Sequence, residues 1–203
     1  MSNDSRQQMI LTAVRLFQRD GYHATSWRGL VKEAGTPWGS VHHHFPGGKD
    51  ELAVAAVETG SQSVIALIDH CFAQQTEAAS AVALWFELTR RSLVDSAYAS
   101  GCPVATVALE TSTTPGAVHD ATQSAFTAWE RCLASHFRRA GLGRTKAADT
   151  AIVVLALLEG AMLLSRVQGS VGPMRAASRR AQAVVAESGR AGSTTATAEA
   201  DGL

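Results

Sequence analysis

Thr36, Trp38, Gly39, Ser40, His42 and His43 crowd one short stretch of a 203-residue chain and offer hydroxyl, indole and imidazole groups on one side of a helical turn. Val41 and Phe45, four residues apart, take the opposite side. A short helix divided in this way can bury its apolar face and present the polar one to a groove. Gly39, without a side chain, leaves room for base edges or phosphates to come close. The same spacing also suits an ordinary αα-hairpin in a helical bundle.

Two further groups invite a metal reading, and neither sustains it in sequence. His42, His43 and His44 are consecutive, so on a helix they point about 100° apart and do not converge. Cys132 and His136 do share a helical face, but no other Cys, His or acid lies beside them in sequence to complete a four-ligand set. They read as a packed cysteine and a core or pocket histidine, and no metal or cofactor is expected. There is no phosphate-binding glycine loop, no GxSxG and no convergent acid and base, so an enzyme is not expected.

Such a surface has to be positioned by helices, and helical periodicity with Ala, Leu, Glu, Arg and Gln runs through almost every segment. The spacing predicts an all-α protein. A first helix spans Arg6 to Asp20 and stops at Gly21. A second starts after Thr25 or Ser26 and ends at Gly35, and a third begins near Pro37 and ends by Phe45. Longer helices follow from Lys49 to Gln75, Glu77 to Ala97, Pro103 to Glu110, Pro115 to Ala140, Thr145 to Val167 and Pro173 to Ser188. Residues 189–203 are small and polar, and a disordered tail is expected there.

Composition narrows the class. Lys+Arg and Asp+Glu both number 18, yet up to Lys49 six basic residues face three acidic ones, and four of the seven histidines lie there too. The first quarter is the cationic one. Three cysteines without CxxC spacing suggest a reducing compartment, and the polar start, Met1 to Gln8, lacks the core of a signal peptide. The most apolar run, Ala151 to Leu164, is 14 residues long and falls short of the ~20 needed to cross a bilayer. A cytoplasmic protein with no membrane partner is expected.

Arg28-Gly-Leu-Val-Lys-Glu-Ala-Gly35, Trp38-Gly-Ser-Val-His-His-His-Phe45 and Lys49-Asp-Glu-Leu52, with Leu16-Phe17 and Gly21-Tyr22 before them, resemble the amino-terminal DNA-binding domain of TetR-type transcriptional regulators. Gly101-Cys-Pro-Val-Ala-Thr-Val-Ala-Leu-Glu110 and the long Phe-Pro-Gly-Gly-Lys spacer are similar to the LmrA/YxaF-like branch, whose members respond to drugs and flavonoids. His42 stands where the family usually has Tyr, and Pro37 where Ser or Thr is common.

The resemblance implies a three-helix helix-turn-helix domain at about 1–48 and a helical effector-binding and dimerisation domain at 49–188. By position in the motif, Ser26, Trp27 and Arg28 start the second helix against the DNA backbone. Thr36, Pro37, Trp38, Gly39 and Ser40 lie over bases, and His42, His43 and Lys49 meet phosphates. The implied function is a repressor that binds a palindromic operator as a homodimer and is released by a small aromatic effector. A helical small-molecule-binding or scaffold protein without specific DNA binding is the alternative.

Trp85, Phe86, Phe126 and Trp129, with Met162, suit either a core or an apolar pocket. The resemblance turns them into ligand-binding candidates, with Glu110 as a polar partner and His119, Gln123 and His136 beside it. In the last two helices Val153, Leu157, Ala161 and Leu164 form one apolar stripe and Val154, Leu158 and Met162 another. That is more than one buried face requires: a central helix surrounded within one chain would account for it, and the family resemblance implies instead a four-helix dimer interface.

Overall fold

The computed structural model describes residues 2–198, with side chains described from Asp4 to Gly189; the extreme ends of the chain lie outside it. Among the described residues all regular structure is helical, as expected. The helices are α1 (Ser2–Asp20), α2 (Trp27–Ala34), α3 (Ser40–His44), α4 (Gly48–Gln74), α5 (Ala78–Asp95), α6 (Ala105–Thr111), α7 (Ala117–Arg139), α8 (Arg144–Gln168) and α9 (Gly172–Ala198).

Local chemistry sets the ends of these helices. Ser26 caps α2 by accepting the Gly29 N–H at 3.1 Å. Gly35, at φ 63°, closes α2 in the left-handed conformation, where a side chain would be strained. The third helix is shorter than expected: 37–39 form a turn, Ser40 Oγ donates to the Pro37 carbonyl at 2.6 Å, and α3 proper starts at Ser40. Helix α9 runs the other way and continues past Ser188 to Ala198. Its alanines prolong a helix already nucleated, which costs less than starting one. Of the expected tail, 199–203 lie outside the described residues.

Two compact units divide the chain, and neither is a simple stretch of sequence. The first holds residues up to Val64 together with Ala99–Thr127, and the second holds Ile65–Tyr98 together with the chain from Ala128 onward. Helices α1, α2, α3 and α6 lie in the first, and α5, α8 and α9 in the second. In the first unit Met9, Ala13, Leu16 and Phe17 of α1 meet a core that includes Leu30, Val31, Val41 and Phe45, all buried. In the second, α8 packs on α9 and α5, and α5 packs on α9.

By length and composition α4 and α8 are apolar enough to cross a membrane, and α8 reaches a mean hydropathy of 1.9. The α8 helix is also longer than the apolar run Ala151–Leu164 from which its reach was judged. Its surface is nevertheless split. Val154, Leu155, Leu158, Ala161 and Met162 are buried inside the unit, while Ile152, Val153, Leu163, Leu164 and Val167 are exposed. The second stripe read from the sequence is therefore core. The first is corrected at Ala161, which is buried, because the exposed face passes instead through Ala156 and Gly160.

Candidate nucleic-acid interface

Helix α3 is short enough that its geometry depends on what it packs against. Phe45 is fully buried and is the anchor: the Trp27 ring lies 6.3 Å from it and the Arg6 guanidinium 5.2 Å above it. With Val41 it pins α3 against α1 and α2 and turns the other face outward. Trp38 is 55% exposed on that face. Arg28, Pro37, Gly39, His42 and His43 are exposed as well, and nothing lies within 4 Å of where a Cβ on Gly39 would sit. An exposed indole among cationic and hydrogen-bonding groups can stack on or reach into a groove.

Four of the expected contact residues face the protein or are committed within it. The Thr36 Oγ1 is buried and has no hydrogen-bond partner, so in this conformation the hydroxyl faces the protein and not a base edge. Lys49 is half-buried, with its ammonium over the Tyr22 ring, 4.4 Å from the centroid, donating to the Tyr22 carbonyl. Burial lowers its pKa, opposed by the Glu110 and Asp50 carboxylates. Lys49 thus holds the α1–α2 loop against the start of α4 rather than standing free for a phosphate. Ser26 is exposed, but its oxygen is committed to the α2 cap, and Trp27 is half-buried on Phe45.

The same loop explains Glu110, which the sequence suggested as a ligand partner. Its carboxylate accepts the His23 N–H at 2.6 Å and so ties α6 to the α1–α2 loop. The Tyr22 hydroxyl donates to Asp50, and burial, followed by Asp50 and Glu110, pushes its pKa well above the ordinary range. Gly21 sits under this latch at φ 90°, where a Cβ would fall 2.0 Å from Glu110 Oε1. Only the Gly21-Tyr22 pair was legible beforehand; Glu110 lies 87 residues from His23, and no local pattern announces the pairing.

Gly21→Ala should therefore lower the thermal stability by about 1–3 kcal/mol, through left-handed strain and the displaced Glu110 carboxylate. Gly39→Ala, with open space around it and an ordinary φ of −62°, should melt within about 0.5 kcal/mol of the parent. Calorimetric melting of the two variants checks the contrast. Equal melting of both would remove the latch from the account.

The aromatic candidates are placed mostly as core. Trp85, Phe86 and Trp129 are almost completely buried, Met162 is buried, and Phe126 is half-buried and belongs to the first unit, whereas the other four belong to the second. Close packing fills the space that a ligand would need. Phe86 is the exception among them, because it floors an open cleft of about 250 Å³ with Met174, rimmed by Glu87, Arg90, Arg175 and Arg179. Glu87 is paired with Arg90 and Arg91, each at 2.7 Å, and its pKa falls to about 2. Sequence spacing missed the cleft because its rim comes from α5 and α9, which are separated by two other long helices.

A helix-turn-helix with an outward aromatic and cationic face, carried by an otherwise helical chain, defines a DNA-binding regulator of the all-α type. Comparison with known proteins supports that class along most of the chain. Residues 10–56 match the family described as bacterial regulatory proteins, tetR family, and residues 78–180 match the C-terminal domain of LmrA/YxaF-like transcriptional regulators.

The HTH-type transcriptional regulator LmrA of Bacillus subtilis is 32% identical over 80% of this chain and 86% of its own length. An uncharacterised HTH-type regulator of the same organism, YxaF, is 33% identical over 80% and 85%. In structure, a TetR regulatory protein from Rhodobacter sphaeroides has the same fold at a TM-score of 0.79 and 20% identity, covering 89% of this chain and 98% of its own. The chain belongs to the TetR family of transcriptional regulators, in the LmrA/YxaF-like branch, and is not an enzyme. The αα-hairpin reading of α2 and α3 gives way to that membership.

Proposed function

We propose that the protein is a ligand-responsive repressor that binds a near-palindromic operator as a homodimer and lets go when a small aromatic molecule binds its second unit. The observation that carries the reading is the exposed stripe on α8. Ile152, Val153, Ala156, Gly160, Leu163, Leu164 and Val167 recur at three and four residues and are all exposed. An apolar face of that length is costly in water and fits a self-complementary, two-fold contact. Two copies of the α3 face related by a two-fold axis then require half-sites one helical turn, ~34–36 Å, or a multiple apart.

In this reading Arg28, Trp38, Gly39, His42 and His43 read or grip the DNA, and Ser26 and Trp27 set the angle of α2. The functional division falls near residue 48, and the protein acts in the cytoplasm, where its operator is. Selection of bound sequences from a random DNA pool tests the proposal. Enriched sites with dyad symmetry are expected, and sites without it would sink the homodimer reading.

The effector proposal narrows to the cleft on Phe86. A planar aromatic ring suits Phe86 and Met174, and three arginines on the rim favour a phenolate or carboxylate edge on the ligand. Planar aromatic anions should raise the melting temperature with the logarithm of their concentration above Kd and release operator DNA, since the two bindings are linked. Arg179→Ala should weaken that binding by about tenfold to a hundredfold, the loss of a charged hydrogen bond of ~1.5–3 kcal/mol. A panel that shifts neither melting nor DNA binding would mean that the rings serve only as core.

A further inference from the structure

Cys132 and His136, one turn apart on α7, meet Asp69 of α4 within the second unit. His136 Nε2 lies 2.7 Å from Asp69 Oδ1, and Cys132 Sγ donates to the same oxygen at 3.5 Å. The three donor atoms fall within 4.8 Å of one another. The third donor comes from 63 residues earlier in the chain, which is why spacing alone left the Cys132 and His136 pair incomplete. We infer that Asp69, Cys132 and His136 form a binding site for a zinc-class divalent cation, with one position left to solvent.

Two of the three donor edges are near what such an ion needs, and the third, sulfur to nitrogen, lies within 4.8 Å. Tetrahedral zinc with bonds of ~2.0–2.3 Å places nitrogen and oxygen ligands ~3.3 Å apart and sulfur and oxygen ligands ~3.6 Å apart. The sulfur to oxygen edge is already at that value. The His136 to Asp69 edge must open by about 0.6 Å, which a carboxylate on a side chain 57% exposed can do by a change of rotamer.

The imidazole is held better. Its side chain is only 13% exposed, and it stacks on Phe72 at 4.2 Å with 18° between the planes, so Nε2 keeps its aim at Asp69. A ring fixed in this way loses little freedom on ligation, as a metal ligand oriented by its surroundings should.

Ligand type selects the ion. One sulfur, one imidazole nitrogen and one carboxylate oxygen suit zinc or cobalt and not magnesium or calcium, which want oxygen alone. The Cys132 thiol is pushed up to about 12, by burial first and then by Asp69, with Arg139 working against the rise. The bare thiol therefore keeps its proton, and ligation releases it to solvent as the cation takes the sulfur lone pair. Exposed Asp69 marks the way in. Three ligands with an open fourth position differ from the closed four-ligand sets of purely structural zinc.

Cobalt titration of the full chain, purified metal-free and reduced, tests the site. One cobalt per chain is expected, with visible bands of tetrahedral intensity and a thiolate-to-cobalt charge-transfer band in the near ultraviolet. Replacing Cys71 and Cys102, the other two cysteines, by Ala should leave the charge-transfer band in place. Cys132→Ser should abolish it.

Asp69→Asn should raise the apparent Kd tenfold or more. Because that side chain lies mostly in solvent, the variant folds like the parent, and helical circular dichroism confirms it. Zinc should displace the bound cobalt. No charge-transfer band in the parent, a band that survives Cys132→Ser, or equal cobalt affinity in Asp69→Asn would each overturn the assignment.

Discussion

Leu164→Glu is expected to turn the proposed dimer into a folded monomer that no longer selects its operator. The side chain is 51% exposed on the α8 stripe, so the single chain tolerates the change at a cost within about 0.5 kcal/mol. In a two-fold interface the substitution enters twice. Each unpaired carboxylate taken out of water costs several kcal/mol, and ~4 kcal/mol already weakens association about a thousandfold.

A monomer holds one half-site, and operator affinity should fall toward the non-specific level, a loss of about a thousandfold or more. Leu109→Glu is the control, since Leu109 is an exposed apolar residue on α6 and not part of the stripe. Analytical ultracentrifugation and a gel shift read both quantities. If Leu164→Glu sediments like the parent, the stripe is not the interface.

That prediction depends on a distinction the sequence could only half make. Apolar spacing showed that α8 has more hydrophobic surface than one face needs, but not which residues point into the unit. Val154, Leu158 and Met162 and the pair Val153 and Leu164 are equally apolar, and what separates them is the presence of α5 and α9 on one side. The helix-turn-helix was more legible because its signals are local: the Ser26 cap, the Gly35 stop, and Val41 and Phe45 one turn apart.

Contacts across long separations were not legible. Glu110 on the His23 N–H, Asp69 beside Cys132 and His136, and the arginines around Phe86 depend on where distant helices pack. The aromatic residues mislead for a related reason. Composition says that Trp85 and Trp129 are large and apolar, and both a pocket and a core want that. Only the observed burial decides, and it decides for core.

Phe45→Ala and Trp38→Ala, seven positions apart in the same module, should fail in opposite ways. Phe45 is fully buried between α1, α2 and α3, with Trp27 and Arg6 on its ring. Truncating it leaves a cavity worth about 3–5 kcal/mol, enough to unfold a small helical unit or to free α3 from its support. DNA binding should then be lost for every sequence alike, together with a lowered melting temperature and reduced helicity.

Trp38, by contrast, already stands in solvent, so its removal should change stability by no more than about 0.5 kcal/mol. What it should change is preference: the loss of a stacking or groove contact costs about 1–3 kcal/mol on the best site and little on poor ones, which flattens the ranking of sequences. Melting curves and binding to a set of selected and random duplexes separate the two. A Trp38→Ala protein that keeps the parent's ranking of sites would remove Trp38 from the reading surface, and one that melts early would make it part of the support instead.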